Sequence, residues 1–289
     1  MKILITGKNG QLGQQLQQDA PQGAELIALG REDLDITNRD AVFSALAEHR
    51  PDVVINAAAY TAVDRAESDV ENAYAINATG PENLAQACKE CGIRLVHVST
   101  DFVFDGQKSS PYTTEDPTRP LGVYGSSKAA GEAAVQAILP EAAIVRTAWV
   151  YSVHGNNFVN TMLRLMNERD QLGVVADQVG TPTWTGTLAK ALYALAADEC
   201  AHGIYHCTDA GAASWYDFAV AIYEEGKTSG LIPANKQVYI TPITTTDYPT
   251  PATRPPYSVL EKRVEDFGSG FRPTHWRQIL REVLQSKTQ

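Results

Sequence analysis

Through the first 150 residues the chain alternates between two hydrophobic rhythms. Consecutive apolar positions occur at 2–6 (KILIT), 25–29 (ELIAL), 52–56 (DVVIN), 94–99 (RLVHVS) and 142–147 (AAIVRT). Runs this short that are apolar throughout predict strands covered on both faces. Between them, apolar residues return every three or four positions at 11–18, 40–49, 69–92 and 126–138, which predicts helices. Gly80-Pro81 is the doubtful point in the long 69–92 pattern, because proline lacks an N–H and crowds the preceding turn. Strand–helix alternation of this kind predicts an α/β fold, a Rossmann-like doubly wound parallel sheet wrapped by helices.

After residue 150 the rhythm loosens. Helices are predicted at 157–168 and 187–198, and a final one at roughly 274–285 after Phe271-Arg272-Pro273. Prolines gather between 233 and 256, where TPITTTDYPTPATRPPY reads as extended loop. The division expected is a dinucleotide-binding domain at 1–150 and a smaller C-terminal substrate-binding domain making up most of 151–289, with 174–205 returning to the first.

Composition narrows the class. With 44% hydrophobic and 20% charged residues, the chain has an ordinary globular balance and can bury a core. No apolar run approaches the ~18 residues of a membrane span. The opening run stops at Thr6, too short for a signal-peptide core, so a cytoplasmic protein without a membrane partner is expected. A net charge of −10 argues against nucleic acid, but local basic groups can still hold a small anion. Cys88 and Cys91 form a lone CKEC, and Cys200 and Cys207 lack ligand spacing. The plainer reading is a helix end stopping at Gly92, with no metal and no disulfide.

The first candidate chemistry is TGKNGQLG at 6–13, between a strand and a helix. Gly7, Gly10 and Gly13, spaced by three, suit a tight turn, close approach to a pyrophosphate and close helix–strand packing. A bound anion then meets free N–H groups at the helix start. The second strand runs into Gly30-Arg31-Glu32-Asp33. An acid at this strand end suits a free ribose 2′-hydroxyl and an arginine suits a 2′-phosphate, so NADPH is expected, with NADH also accepted. Asp35 and Ile36 are placed beside the adenine.

The second is VYGSSK at 123–128. On a helix, Tyr124 and Lys128 share one face a turn apart. A phenol titrates near ~10, and a neighbouring ammonium should lower that. The small residues between them should leave room for a substrate and a flat nicotinamide. A phenol so tuned can protonate a carbonyl that receives a hydride. VSTD at 98–101 sets Ser99 and Thr100 at a strand's C-terminal end, where open α/β sheets bind ligands and a hydroxyl can reach the reacting oxygen.

TGxxGxxG at 6–13, NAAAYT at 56–61, STD at 99–101 and YxxxK at 124–128, in this order, resemble an extended short-chain dehydrogenase/reductase. NAAAYTAVDRAE (56–67), STDFVFDG (99–106), YGSSKAAGE (124–132), RTAWVY (146–151), GNNFV (155–159), DQVGTPT (177–183) and RPPYSVL (254–260) narrow the resemblance to the dTDP-4-dehydrorhamnose reductase family, over nearly the whole chain. The resemblance implies reduction of the C4 ketone of dTDP-4-dehydro-L-rhamnose to dTDP-L-rhamnose with NADPH or NADH, in rhamnose and cell-surface polysaccharide synthesis, by a monomer or homodimer. It makes Tyr124 the proton donor, Lys128 its partner and a ribose ligand, and Thr100 the partner of the sugar carbonyl. Gly10, Gln11 and Leu12 then face the pyrophosphate, and Ala59, Tyr60, Thr61 and Val98 flank the cofactor. The resemblance also sets Val63, Asp101 and Trp149 against the sugar nucleotide; Asn157 is expected there too, and Arg254, in the proline-stiffened TRPPY, suits the substrate's diphosphate through bidentate hydrogen bonds.

Two rival readings stay open on sequence alone. One is another sugar-nucleotide enzyme, an epimerase or a dehydratase; dehydratases resemble this chain but carry an acid where Phe102 stands. The other is a non-catalytic NADP-binding regulatory subunit, against which the intact Thr100, Tyr124 and Lys128 argue.

Overall fold

The computed structural model describes residues 1–268 and 271–287; residues 269, 270, 288 and 289, inside the expected C-terminal domain, lie outside the described residues. The N-terminal part comprises β1 (Lys2–Thr6), α1 (Gln11–Gln18), β2 (Glu25–Leu29), α2 (Arg39–His49), β3 (Val53–Asn56), the short α3 (Val63–Ala66) and α4 (Val70–Tyr74), α5 (Gly80–Cys91), β4 (Arg94–Thr100), α6 (Val123–Ile138) and β5 (Ala143–Thr147). Then come β6 (Val150–Tyr151), α7 (Phe158–Glu168), β7 (Gln171–Val175), β8 (Val179–Gly180), β9 (Thr183–Trp184), α8 (Thr185–Ala197), β10 (Gly203–His206), β11 (Ala213–Ser214), α9 (Trp215–Thr228), β12 (Tyr239–Ile243) and α10 (Trp276–Ser286).

The main sheet has six parallel strands in the order β10-β5-β4-β3-β1-β2. The chain winds outward one way from β1 and then the other, and the reversal opens a crevice at the strands' C-terminal ends. Both faces are covered, which is why the strands read as unbroken apolar runs. One face packs Ile3, Ile5, Val96 and Val145 against α8, and the other packs Leu4, Val54, Leu95 and Ile144 against α2, α5 and α6. A separate core joins α7, α9 and α10 through Met166, Phe218, Ile222 and Leu280. Within 174–205, α8 and the start of β10 lie with the first sheet, whereas β7, β8 and β9 do not.

Three local departures from the sequence expectation have physical causes. The 69–92 helix runs on through Gly80-Pro81, but over Ala75–Thr79 it widens to a π-helix. The missing N–H of Pro81 and the bulk of its ring make an ordinary α turn onto Asn77 unworkable there. The Asn77 carbonyl lies against α6, where a Cβ on Gly131 would come within 2.1 Å of it. The proline-rich stretch is not all loop: Tyr239–Ile243 pairs in parallel with Gln171–Val175 as an edge strand that tolerates Pro242. Helix α9 has no counterpart among the helices that periodicity predicts. Its local signal is a capping box, in which Ser214 accepts from the Asp217 N–H and the Asp217 carboxylate accepts from the Ser214 N–H.

Cys88 is buried, Cys91 is exposed, and all four cysteines are free. The helix they end is closed by Gly92 at φ 65°.

Candidate active site

The glycine loop joins β1 to α1. Gly7 sits at φ 74°, and a Cβ there would stand 2.8 Å from the Ala58 nitrogen. A Cβ on Gly13 would stand 2.1 Å from the Gly7 carbonyl oxygen, so α1 crosses the loop in direct backbone contact. No side chain caps α1 at Gly10, which leaves its first N–H groups for an anion. Leu12 turns its side chain to the sheet core and can offer the loop only its backbone.

A cavity of about 440 Å³ leads from this loop along the strand ends, lined by Gly7, Gly10, Arg31, Asp35, Ile36, Ala59, Tyr60, Thr61 and Arg65. A larger depression of about 1100 Å³, near Met1, Arg50 and Arg94, lies at the opposite ends of the strands and carries none of these groups. Bare backbone at the loop, open helix N–H groups and an elongated cavity past β2 and β3 fit a dinucleotide.

The mixed Arg31-Glu32-Asp33 signal separates in space. Lys8 bonds Asp33 at 2.5 Å, Asn9 donates to Glu32 at 2.9 Å, and the Gly30 N–H donates to Asp33 at 2.8 Å. Both acids therefore brace the glycine loop. Arg31 is 78% exposed in its side chain, with Nε 3.9 Å from Asp35. The Asp35 carboxylate also accepts from the Thr37 hydroxyl at 2.7 Å, and that bond leads the influences that lower its titration.

Tyr124 is the second residue of α6. Its phenol stands beside the Thr100 hydroxyl, and its ring meets Phe102 edge-on at 5.4 Å and 71°. The sequence expectation of a lowered phenol is corrected here. Tyr124 is only partly buried as a residue, yet the loss of water around its phenol pushes it up to about 12, and the bond to Thr100 offsets only part. The Lys128 ammonium is turned aside, donating to the Val98 carbonyl at 2.7 Å, and burial draws it down to about 8.

The small residues between them also do something other than expected. Gly125 admits the Phe102 carbonyl, 2.2 Å from where a Cβ would be, and Ser127 bonds Asn77 and the Tyr124 carbonyl. They seat α6 on its neighbours rather than clear space for ligands.

Beyond β4, the Thr100 hydroxyl donates to Asp101 at 3.1 Å and accepts from the Phe102 N–H. Burial raises Asp101 to about 6 against its bonds to Ser258 and Thr100. Asp101 Oδ2 and Ser99 Oγ are buried without a hydrogen-bond partner among the described residues.

The remaining expected ligands fall into three situations. Val63 opens α3, partly buried, and does not line the cavity. Trp149 lies at the mouth of β6 at φ 46°, a costly setting for a bulky residue, and stacks on Trp215 at 3.5 Å and 4°. Asn157 and Arg254 are engaged within the protein. Asn157 caps α7 through Asn160 and donates to Gln11 at 2.8 Å, so it ties the cofactor loop to the C-terminal part. Arg254 grips Asp64 with two bonds of 3.0 and 2.8 Å.

Asn77 was missed. It accepts from the Tyr60 N–H at 2.8 Å and donates to the Tyr60 carbonyl at 3.0 Å, which fixes the cavity wall to α6. Those partners lie 17 residues away, and no local pattern announces them. Among the described residues no group of His, Cys, Asp and Glu converges to hold a metal ion, and no helix is long and apolar enough to cross a membrane.

Comparison with known proteins places this geometry. The family described as RmlD substrate binding domain matches residues 1–289. A dTDP-4-dehydrorhamnose reductase of Aggregatibacter actinomycetemcomitans is 44% identical over 289 residues, covering 98% of each chain. The crystal structure of a dTDP-4-dehydrorhamnose reductase from Clostridium acetobutylicum superposes with a TM-score of 0.93 at 44% identity, covering 100% of both chains. One from Bacillus anthracis, solved in complex with NADP, gives 0.92 at 37% identity and 99% of both chains. The chain, with its glycine loop, its Thr100–Tyr124–Lys128 constellation and its full-length likeness to these proteins, belongs to the family of the RmlD substrate binding domain, among the dTDP-4-dehydrorhamnose reductases.

Proposed function

We propose that the protein reduces the C4 ketone of dTDP-4-dehydro-L-rhamnose to dTDP-L-rhamnose, taking hydride from NADPH and accepting NADH less readily. The observation that carries this reading is the Tyr124 phenol within reach of the Thr100 hydroxyl at the strand ends, with Lys128 a turn behind on the same helix. When bound, the nicotinamide supplies the hydride. The chain's own residues do the rest.

Gly7, Gly10 and Gly13 bring backbone close to the pyrophosphate, and the open start of α1 meets its charge. Arg31, exposed at the end of β2, takes the 2′-phosphate, while Ala59, Tyr60 and Thr61 wall the cavity. Thr100 holds the sugar oxygen, and Tyr124 gives it a proton as negative charge develops there. A phenol standing at about 12 keeps its proton until that moment, and charge on Lys128 eases its release. Asp101 and Trp149 border the sugar. Phe102, lacking any acid–base group, stands against a dehydratase reading.

The test is to mix the protein with NADPH and the 4-keto sugar nucleotide and follow nicotinamide absorbance, identifying the product sugar. Stoichiometric oxidation with dTDP-L-rhamnose formed supports the reading. Tight NADPH binding with no turnover would favour the regulatory-subunit alternative.

A further inference from the structure

Helix α6 carries a third group on the face of the reacting pair. Tyr124, Lys128 and Glu132 recur every four residues, hence one above the other. Lys128 is 2% exposed and Glu132 3%. An ammonium buried this deeply is costly without negative charge nearby. The Val98 carbonyl provides a dipole, and no carboxylate is in ion-pair contact with Lys128 among the described residues.

Glu132 is held by Arg146 of β5. Nε of Arg146 donates to both carboxylate oxygens at 3.0 and 3.2 Å, and Nη2 donates to Oε2 at 2.7 Å. The guanidinium is itself seated over the Phe104 ring at 5.0 Å. So fixed, the carboxylate stays with Arg146, one helical turn from Lys128 along α6.

The other groups around Lys128 do not replace this charge. His97 of β4 is kept neutral, since burial first and then the Lys128 charge hold its imidazole well below the ordinary value. Asp101, past the end of β4, is drawn towards its neutral form by burial. Asn77 and Ser127, at the contact with the π-helical turn, are uncharged. Tyr124 on the same helix keeps its proton. Arg146 is positive and ion-paired with Glu132.

We propose that Glu132, fixed by Arg146, is a positioning residue of the proton transfer: its carboxylate is the counter-ion that keeps Lys128 charged beside Tyr124. This rests on the roles of Tyr124 and Lys128 proposed above. Among the influences on Lys128, burial lowers it to about 8 and Glu132 is the one that raises it.

Glu132→Gln keeps the side chain's shape and removes its charge. Lys128, followed by NMR of ¹³C-lysine-labelled protein and assigned with Lys128→Met, should titrate about one unit lower. The alkaline limb of kcat should move down by the same amount, leaving activity little changed near about pH 6 and reduced about fivefold near about pH 8. Glu132→Asp should recover part of the shift. Should Glu132→Gln fold poorly, Glu132→Leu with Arg146→Leu removes the pair without stranding a buried charge, and it should show a lowering in the same direction, smaller because the positive charge of Arg146 goes too. A Lys128 titrating at its wild-type pH in either folded variant overturns the proposal. The NMR titration needs no turnover, so a protein that reduced no keto sugar would refute the proposed reaction and leave the counter-ion to be decided by Lys128 alone.

Discussion

Replacing Tyr124 with phenylalanine separates chemistry from packing, because the structure lets the two costs be estimated independently. The ring stays edge-on to Phe102, and the small residues that seat α6 are untouched. What is lost structurally is the phenol's polar group beside the Thr100 hydroxyl. Even a full neutral hydrogen bond there would contribute only about 0.5–1.5 kcal/mol, so stability should fall by no more than that and Tm by no more than about 6 °C. What is lost chemically is the proton donor. General acid catalysis is typically worth ~10²–10⁴-fold, or about 2.7–5.4 kcal/mol of barrier. Steady-state reduction of the keto sugar nucleotide, with NADPH binding measured separately by fluorescence, should show kcat falling by that factor while cofactor affinity is nearly unchanged. Thr100→Val should be milder, since it removes one bond of roughly 0.5–3 kcal/mol in the transition state. If Tyr124→Phe turned over at close to the wild-type rate across the pH range, the phenol would not be the donor.

Arg31→Ala should raise the KM for NADPH about tenfold and leave that for NADH nearly unchanged. Its exposure places it at the low end of the ~1.5–3 kcal/mol of a charge-assisted contact, and equal effects on both cofactors would refute the assignment. Arg254→Ala should raise the KM for the sugar nucleotide with cofactor affinity preserved; because Arg254 is already bonded to Asp64, an unchanged KM would mark it as a purely structural tie. Asp209, fully buried, is raised to about 7, chiefly by burial. A carboxyl held above its unfolded value stabilises the fold at low pH, and that contribution fades as pH rises through about 7. Thermal unfolding should therefore show Asp209→Asn gaining on the wild type between about pH 5 and pH 8, and parallel curves would contradict it.

The parts of this protein legible in its sequence are those written by neighbouring residues. A strand buried on both faces must be apolar throughout, so β1 to β5 stood out. Gly10 and Gly13 are dictated by contacts with Gly7 and Lys8 in the same turn, whereas Gly7 also meets the backbone of Ala57 and Ala58 beyond β3, and Tyr124 and Lys128 face alike because a helix turns every 3.6. Boundaries moved by one to three residues, and even Pro81 left the long helix unbroken, since the backbone absorbed it in one wide turn.

What tertiary structure alone decided involves partners far apart along the chain. Asn157 is expected beside the substrate, and only the fold shows that it also holds Gln11, 146 residues away. Arg254 meets Asp64 across 190 residues. Beside Arg31, Glu32 and Asp33 look like competing ribose ligands until Lys8 and Asn9 claim them. The titration of the central pair lay furthest from view. Sequence spacing brings a phenol and an ammonium to one helix face, but it carries no information on how dry that face is. Burial, set by β4, the π-helical turn and α6 together, raises the phenol and lowers the amine, and so outweighs the attraction that the spacing alone suggests.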